Sequence, residues 1–279
     1  MHGPGSRART AALAAALAAA LASPAPAAPA AFDPGQSDPR AIIVADLVMA
    51  ALGGRQAWEA ARHIHFAFAV RRGDDDLEYR THLWDRHAGR LRYENADVDG
   101  RPIVVLEDVL TRRGRAFRDG QPVDAAAAGA LLDEAYEAWI NDTYWLLMPY
   151  KMKDPGVRLK YAGETRAGGA VYDTIELAFD NVGLTPGDRY WASVNRATHI
   201  MERWSYVLQD DAPGTAPTVW EWRGWTRKGG ILLAPEKVSP RREEDVRILH
   251  PVMDVYRTLP DAYYESPAPL PERLAAGGS

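Results

Sequence analysis

Cysteine is absent from the 279-residue chain. That excludes a disulfide framework and a thiolate nucleophile, and it removes the residue on which bacterial lipoproteins carry their lipid. The packed core has to hold the fold together unaided. Neither sign of charge dominates: 33 Lys and Arg stand against 38 Asp and Glu, a net charge of −5, with both signs interspersed. No basic stripe marks a nucleic-acid partner. Beyond the N-terminal segment no run is apolar enough over about 20 residues to cross a bilayer, so the chain reads as not membrane-spanning. A Gly-x-Ser-x-Gly elbow, a His-Glu-x-x-His pair and an internal repeat are also missing. Nothing therefore marks a serine hydrolase, a zinc protease or a solenoid. No catalytic residue is assigned and no cofactor is called for.

What is present begins with a three-part leader. Residues 1–30 carry a basic start (Arg7, Arg9), an apolar Ala/Leu run from Ala11 to Ala22, and a Pro/Ala segment offering small residues for cleavage after Ala27 or Ala30. That is the layout of a signal peptide, and it places the mature protein in the periplasm or outside the cell. Residues 31–39 form a linker, residues 40–258 a single domain, and residues 259–279 a Pro-rich tail expected to be extended or disordered.

Within the domain the apolar period alternates between helix and strand. Ser37 or Asp38 caps a helix near residues 40–52, with Pro39 in its first turn, and Gly53-Gly54 stops it. "RQAWEAAR" is a short helical turn that can dock Trp58 beside a sheet. From Ile64 the period is two: "HIHFAFAV", "LEYRTHLW", "RLRYE" and "RPIVVLED" read as antiparallel strands, each with one wet face. Asp124 caps a long helix over 124–147 whose stripe is Leu131, Leu132, Ala135, Tyr136 and Trp139, and Pro149 is expected to end it near Met148. Asp154-Pro155-Gly156 turns the chain back into strands, and "LTPGDRYW" holds a Pro-Gly-Asp turn. The fold class is mainly β (α+β). A large curved antiparallel sheet of about ten or eleven strands forms an unclosed half-barrel, lidded by helices.

Nine tryptophans and twelve tyrosines exceed what an ordinary core needs. Trp84, Tyr144, Trp145, Met148, Tyr150, Trp191, Trp204, Trp220 and Trp222 are the candidate ligand-binding residues, because aromatic rings supply apolar area with few rotors to freeze. "NDTYWLLMPYKMKDPGV" mixes four of them with Lys151, Lys153 and Asp154, and reads as the end of the covering helix and the lip of a cavity. His63 and His65, two apart on a strand, are the weak alternative as metal ligands, with His82 and His87 flanking the next hairpin. Ser193 and Ser205 sit on strands. Asp142/Asp154 and Glu243/Glu244 are acid–base pairs only if a cleft shifts their pKa values.

"ALGGRQAW", "NDTYWLLMPYKMKDPGV" and "NVGLTPGDRYW" resemble a family of exported bacterial proteins that is similar to the LolA/LolB lipoprotein-localisation factor superfamily, over roughly residues 40–256. The resemblance implies an unclosed barrel of about eleven strands with helices over a cavity for acyl chains. No functional residue of the lipoprotein carriers transfers position by position, and this chain lacks the anchoring cysteine of LolB. The function expected is a carrier or sensor for an apolar small molecule or lipid. The alternatives are a metal-assisted hydrolase using His63 and His65, and an envelope protein that binds a partner protein.

Overall fold

The computed structural model describes residues 31–179, 187–240, 245–271 and 273–275. The leader, residues 180–186 with Pro186 of the expected turn, and the Glu243/Glu244 pair lie outside them. The helix signals hold at their starts. Asp38 accepts from the Arg40 N–H at 2.8 Å at the head of α1 (Pro39–Ala51). Gly53, at φ 123, lies between α1 and α2 (Gly54–Ala60), and a Cβ there would come 2.5 Å from the Gly230 carbonyl oxygen. The Asp124 carboxylate accepts from Ala127 N–H at 2.9 Å to cap α3 (Ala125–Lys151).

The strands are β1 (His63–Arg72), β2 (Asp75–Asp85), β3 (Arg90–Ala96), β4 (Pro102–Asp108), β5 (Arg113–Arg118), β6 (Gln121–Pro122), β7 (Val157–Ala167), β8 (Ala170–Phe179), β9 (Arg189–Asn195), β10 (Met201–Val207), β11 (Thr218–Arg223), β12 (Thr226–Lys228), β13 (Ile231–Leu233), β14 (Glu236–Val238), β15 (Val246–Leu249) and β16 (Met253–Tyr256). Fourteen of them make one antiparallel sheet in the order β6-β5-β4-β3-β2-β1-β15-β14-β11-β10-β9-β8-β7, with β16 beside β1. The sheet is not closed: β6 and β7 are its edges. The expected ten or eleven strands fall short because the last third of the chain is cut into short pieces. β15 and β16 both pair with β1 and are separated at His250-Pro251, where proline has no N–H for the ladder.

Register assigns the faces. Ile64, Phe66, Trp84, His82, Leu91 and Tyr93 share the face that carries the helices, called inner here. Val44, Val48, Leu146, Leu147 and Met148 from α1 and α3 pack there against Ile64, Phe66, Ile175, Leu177 and Trp204. Leu146, Leu147 and Met148 are completely buried, each contributing about 1.5–3 kcal/mol. On β10 a bulge between Met201 and Arg203 breaks the simple alternation read from the sequence, so that Met201 and Trp204 are both buried.

Two sequence expectations are corrected. α3 does not end at Met148: it runs through Pro149 to Lys151. The proline removes one hydrogen bond, but the last turn is anchored from outside. The Tyr150 hydroxyl donates toward the Leu52 and Leu232 carbonyls at 2.9 and 2.7 Å and accepts from Leu232 N–H at 3.0 Å. The segment after Leu259 is not a loose tail. Leu259, Tyr264 and Leu274 are buried with Leu83 on the outer face, and Arg92 is 1% exposed beneath them. Around His65, Leu83 and Arg92 the outer face is therefore dry where the alternation alone reads it as wet, while Tyr79, farther along β2 on the same face, is exposed.

Candidate functional site

The aromatic candidates converge on the inner face with one exception. Trp84 meets Trp139 of α3 edge-on at 5.3 Å, and Trp145 meets Trp220 edge-on at 5.3 Å and Tyr206 at 6.3 Å. Tyr190 stacks on Trp204 at 5.0 Å, Phe179 stands edge-on to Tyr190, and Tyr144 stands edge-on to Phe179. The layer runs across the sheet beneath α3, with Trp222 stacked on Trp225 at its β11 end. Trp191 departs from the set. It alternates with the inner Ala192 and lies on the outer face under the Arg189 guanidinium at 4.9 Å. Met148 and Tyr150 are core anchors rather than lining: Tyr150 stacks on Trp58 at 4.5 Å, and Arg86 lies 3.5 Å above the Trp58 ring. The indole N–H groups of Trp84, Trp139, Trp220, Trp222 and Trp225 are buried without a hydrogen-bond partner. The layer is thus apolar in area but carries free donors.

Beneath it lies a polar centre that the sequence reading missed. Asp142 of α3, fully buried, accepts from Arg80 Nε and Nη2 at 2.7 and 2.8 Å, from His82 Nε2 at 2.7 Å and from Asn141 Nδ2 at 2.9 Å. Burial drives its carboxyl upward, but the Arg80 and His82 bonds outweigh that and hold it below the usual carboxylate range. His82 stacks on Phe66 at 4.7 Å. Nearby, His250 places Nδ1 2.9 Å from the Ala67 carbonyl, and burial, reinforced by Lys237, drives its pKa well down. Lys237 is fully buried with Nζ 2.7 Å from the Ala234 carbonyl and 4.4 Å from the Trp222 ring centre. Burial lowers its pKa strongly. Arg80, His82 and Lys237 sit at strand positions that look wet when register is unknown, and His250 lies in the break between β15 and β16.

Several of the remaining candidates have structural partners, while His65 is buried on the outer face with Nδ1 unpaired among the described residues. His63 Nδ1 lies 2.9 Å from the Tyr264 hydroxyl and 3.9 Å from Asp85, and among the described residues no three His, Cys, Asp or Glu side chains converge as metal ligands. His87 Nε2 lies 3.0 Å from the Glu59 carbonyl. Ser193 pairs with Thr174 at 3.3 Å. Asp142 and Asp154 do not pair, since Asp154 accepts from Lys151 at 2.5 Å. Lys151 also lies 5.2 Å over the Tyr144 ring. Separately, a groove of about 510 Å³ opens at the start of β10 and the end of β11, beside Trp222 and Trp225. Among the described residues no single helix is long and apolar enough to cross a membrane.

No family model and no curated protein matches the chain. Among solved structures it is similar to a DUF1329 family protein from Desulfovibrio piger, with 15% identity, a TM-score of 0.47, and 80% of this chain and 96% of that one covered. It is also similar to a LolA superfamily protein from Nitrosomonas europaea, with 10% identity, a TM-score of 0.35, and 76% and 97% covered.

Proposed function

We propose that the protein is an exported, non-catalytic carrier or sensor that holds a lipid, an acyl chain or a similar apolar molecule between the inner face of the sheet and α3. Residues 1–30 act as its signal peptide and the mature chain works in the periplasm or outside the cell. The observation that carries this reading is the aromatic layer under α3, whose largest connected group runs from Tyr144 through Phe179, Tyr190, Tyr206 and Trp145 to Trp220, on a sheet left open at both edges. Affinity comes from burial: each CH₂ group withdrawn from water contributes about 0.8 kcal/mol, so a long chain binds without a polar clamp. Trp145, Trp204, Trp220 and Trp84 line the path, and an entering chain replaces the edge contact between Trp145 and Trp220. No residue needs to do chemistry in this scheme.

Solvent extraction of the purified protein, followed by mass spectrometry of the extract, tests the reading. A co-purifying lipid is expected, together with saturable binding of an apolar fluorescent probe by the emptied protein. Trp145→Ala should weaken that binding and cost about 3 kcal/mol of stability. A clean extract, with a folded protein that leaves the probe unbound, sinks the proposal.

A further inference from the structure

The groove at the start of β10 and the end of β11 is built differently from the aromatic layer. Trp222 and Trp225 form its apolar wall, ring centres 5.9 Å apart and planes 26° from parallel. Gly224, at φ 71, makes the turn that returns Trp225 beside Trp222, and a Cβ on it would meet Pro235 Cγ at 3.1 Å, so the turn is fixed by glycine and proline together. Trp222 is 3% exposed, and its indole N–H, like that of Trp225, is buried without a partner.

The rim is polar and balanced in charge. Arg223 and Arg203 flank Glu221 at 2.7 and 3.6 Å. Glu202 is held by the Tyr172 hydroxyl at 2.6 Å and by Asn195 Nδ2 at 2.9 Å. Two guanidinium groups against two carboxylates leave no net field to select an anion or a cation. An acyl chain would desolvate all four without replacing their hydrogen bonds. The chemistry that fits offers a flat C–H face to indole rings and pairs of adjacent hydroxyls to planar carboxylates and guanidinium groups. A volume of about 510 Å³ lies within the range of small-ligand sites. We propose that this groove binds a neutral saccharide of one or two pyranose rings, stacked on Trp225 and hydrogen-bonded by Glu221, Arg203 and Arg223. The sugar is either free or the end of a larger glycan. The groove shares the Trp222–Trp225 stack with the β11 end of the apolar layer, but its polar rim of Arg203, Glu221 and Arg223 is no part of that layer.

The test titrates the full chain with D-glucose, N-acetyl-D-glucosamine, maltose and cellobiose, followed by calorimetry, with inorganic phosphate as the anionic comparison. At least one sugar should bind saturably with a Kd of about 1 mM or tighter. Trp225→Ala and Arg223→Gln should each weaken it about tenfold or more, and Arg223→Gln, on an exposed side chain outside the apolar layer, should leave melting temperature and apolar-probe binding unchanged. A methyl glycoside that binds as well as the free sugar points to a glycan end, and one that fails points to the free sugar. The proposal is overturned if none of the four sugars saturates, if binding survives Trp225→Ala, or if phosphate binds and the sugars do not. Loss of apolar-probe binding with sugar binding intact would count against the carrier function alone and leave this site standing.

Discussion

Both faces of the sheet are buried where β1, β2 and β3 align at His65, Leu83 and Arg92, but the two covers are of different kinds. The inner face is covered by α3, an amphipathic helix with an apolar stripe of its own. The outer face is covered by the chain after Leu259, which has one 3₁₀ turn (Asp261–Tyr264) and otherwise little regular hydrogen bonding. Each cover is nevertheless pinned by a buried ion reaching from a strand. On the inner side Arg80 and His82 of β2 hold Asp142 of α3. On the outer side Arg92 of β3 donates to the main-chain carbonyls of Tyr263 and Ser266 at 3.1 and 2.6 Å, and to that of Ala268. Glu94 balances it at 2.5 Å and accepts from Leu270 N–H at 3.1 Å. A helix satisfies its own backbone and is pinned through side chains, as α3 is at Asp142 and Tyr150, whereas an irregular segment needs its carbonyls met one by one.

The largest expected effect tests the inner pin. Asp142→Ala leaves a buried Arg80 and His82 without their carboxylate and should cost about 3–5 kcal/mol, read from the urea midpoint. A cost under 1 kcal/mol would show that apolar packing alone seats α3. Arg92→Ala tests the outer pin. It strands three carbonyls at about 1–3 kcal/mol each, partly relieved by fraying of the segment. The expected loss is about 3 kcal/mol, with faster amide exchange confined to residues 262–270. Unchanged exchange there would mean that Leu259, Tyr264 and Leu274 hold the cover without the arginine.

How much of this was legible in the sequence follows the same division. Asp38, Asp124, Gly53 and Gly156 announce their caps and turns because local geometry demands those residue types, and Gly156 does adopt φ 78. The strand faces of β2 and β3 follow from alternation, and Trp220 and Trp222 fall together as the period requires. Arg92 looked solvated because alternation reports which face a residue is on, not what lies over that face. Pro149 misled for a related reason: its local cost is real, but Tyr150 is bonded to Leu52 and Leu232, over eighty residues away in either direction. Trp191 belongs to a strand with rings on both faces, which composition cannot sort. The Asp142 and Lys237–His250 groups depend on long-range register and left no local mark.

A smaller effect separates the two faces by pH. His65 lies on the outer face of β1 and is held near pKa 4 by burial, aided by Arg92 and His82 and opposed by Asp254. In the unfolded chain its pKa returns to about 6.5. Between those values the unfolded state binds more protons, so stability rises with pH and is lost on acidification. The contribution is about 2 kcal/mol by about pH 5. His63 and His250, also depressed by burial, act in the same direction. His65→Gln should flatten the decline by that amount, and parallel curves for variant and wild type would remove His65 from the account.

The smallest effect lies at the rim, where α3 leaves the sheet. Lys153 bonds Asp46 of α1 at 2.7 Å with Asp46 half exposed, and its ammonium also lies 5.6 Å from the Phe32 ring centre. In water such a pair gains little over its separately solvated partners, and holding two side chains in one geometry costs entropy. Lys153→Ala, in the turn after α3, should therefore change stability by under about 1 kcal/mol and leave apolar-probe binding as it was, whereas Trp145→Ala, within α3, should alter both. Equal losses from the two substitutions would mean that α3 is seated from its exposed end, and the contrast between a buried aromatic layer and a solvated rim would fail.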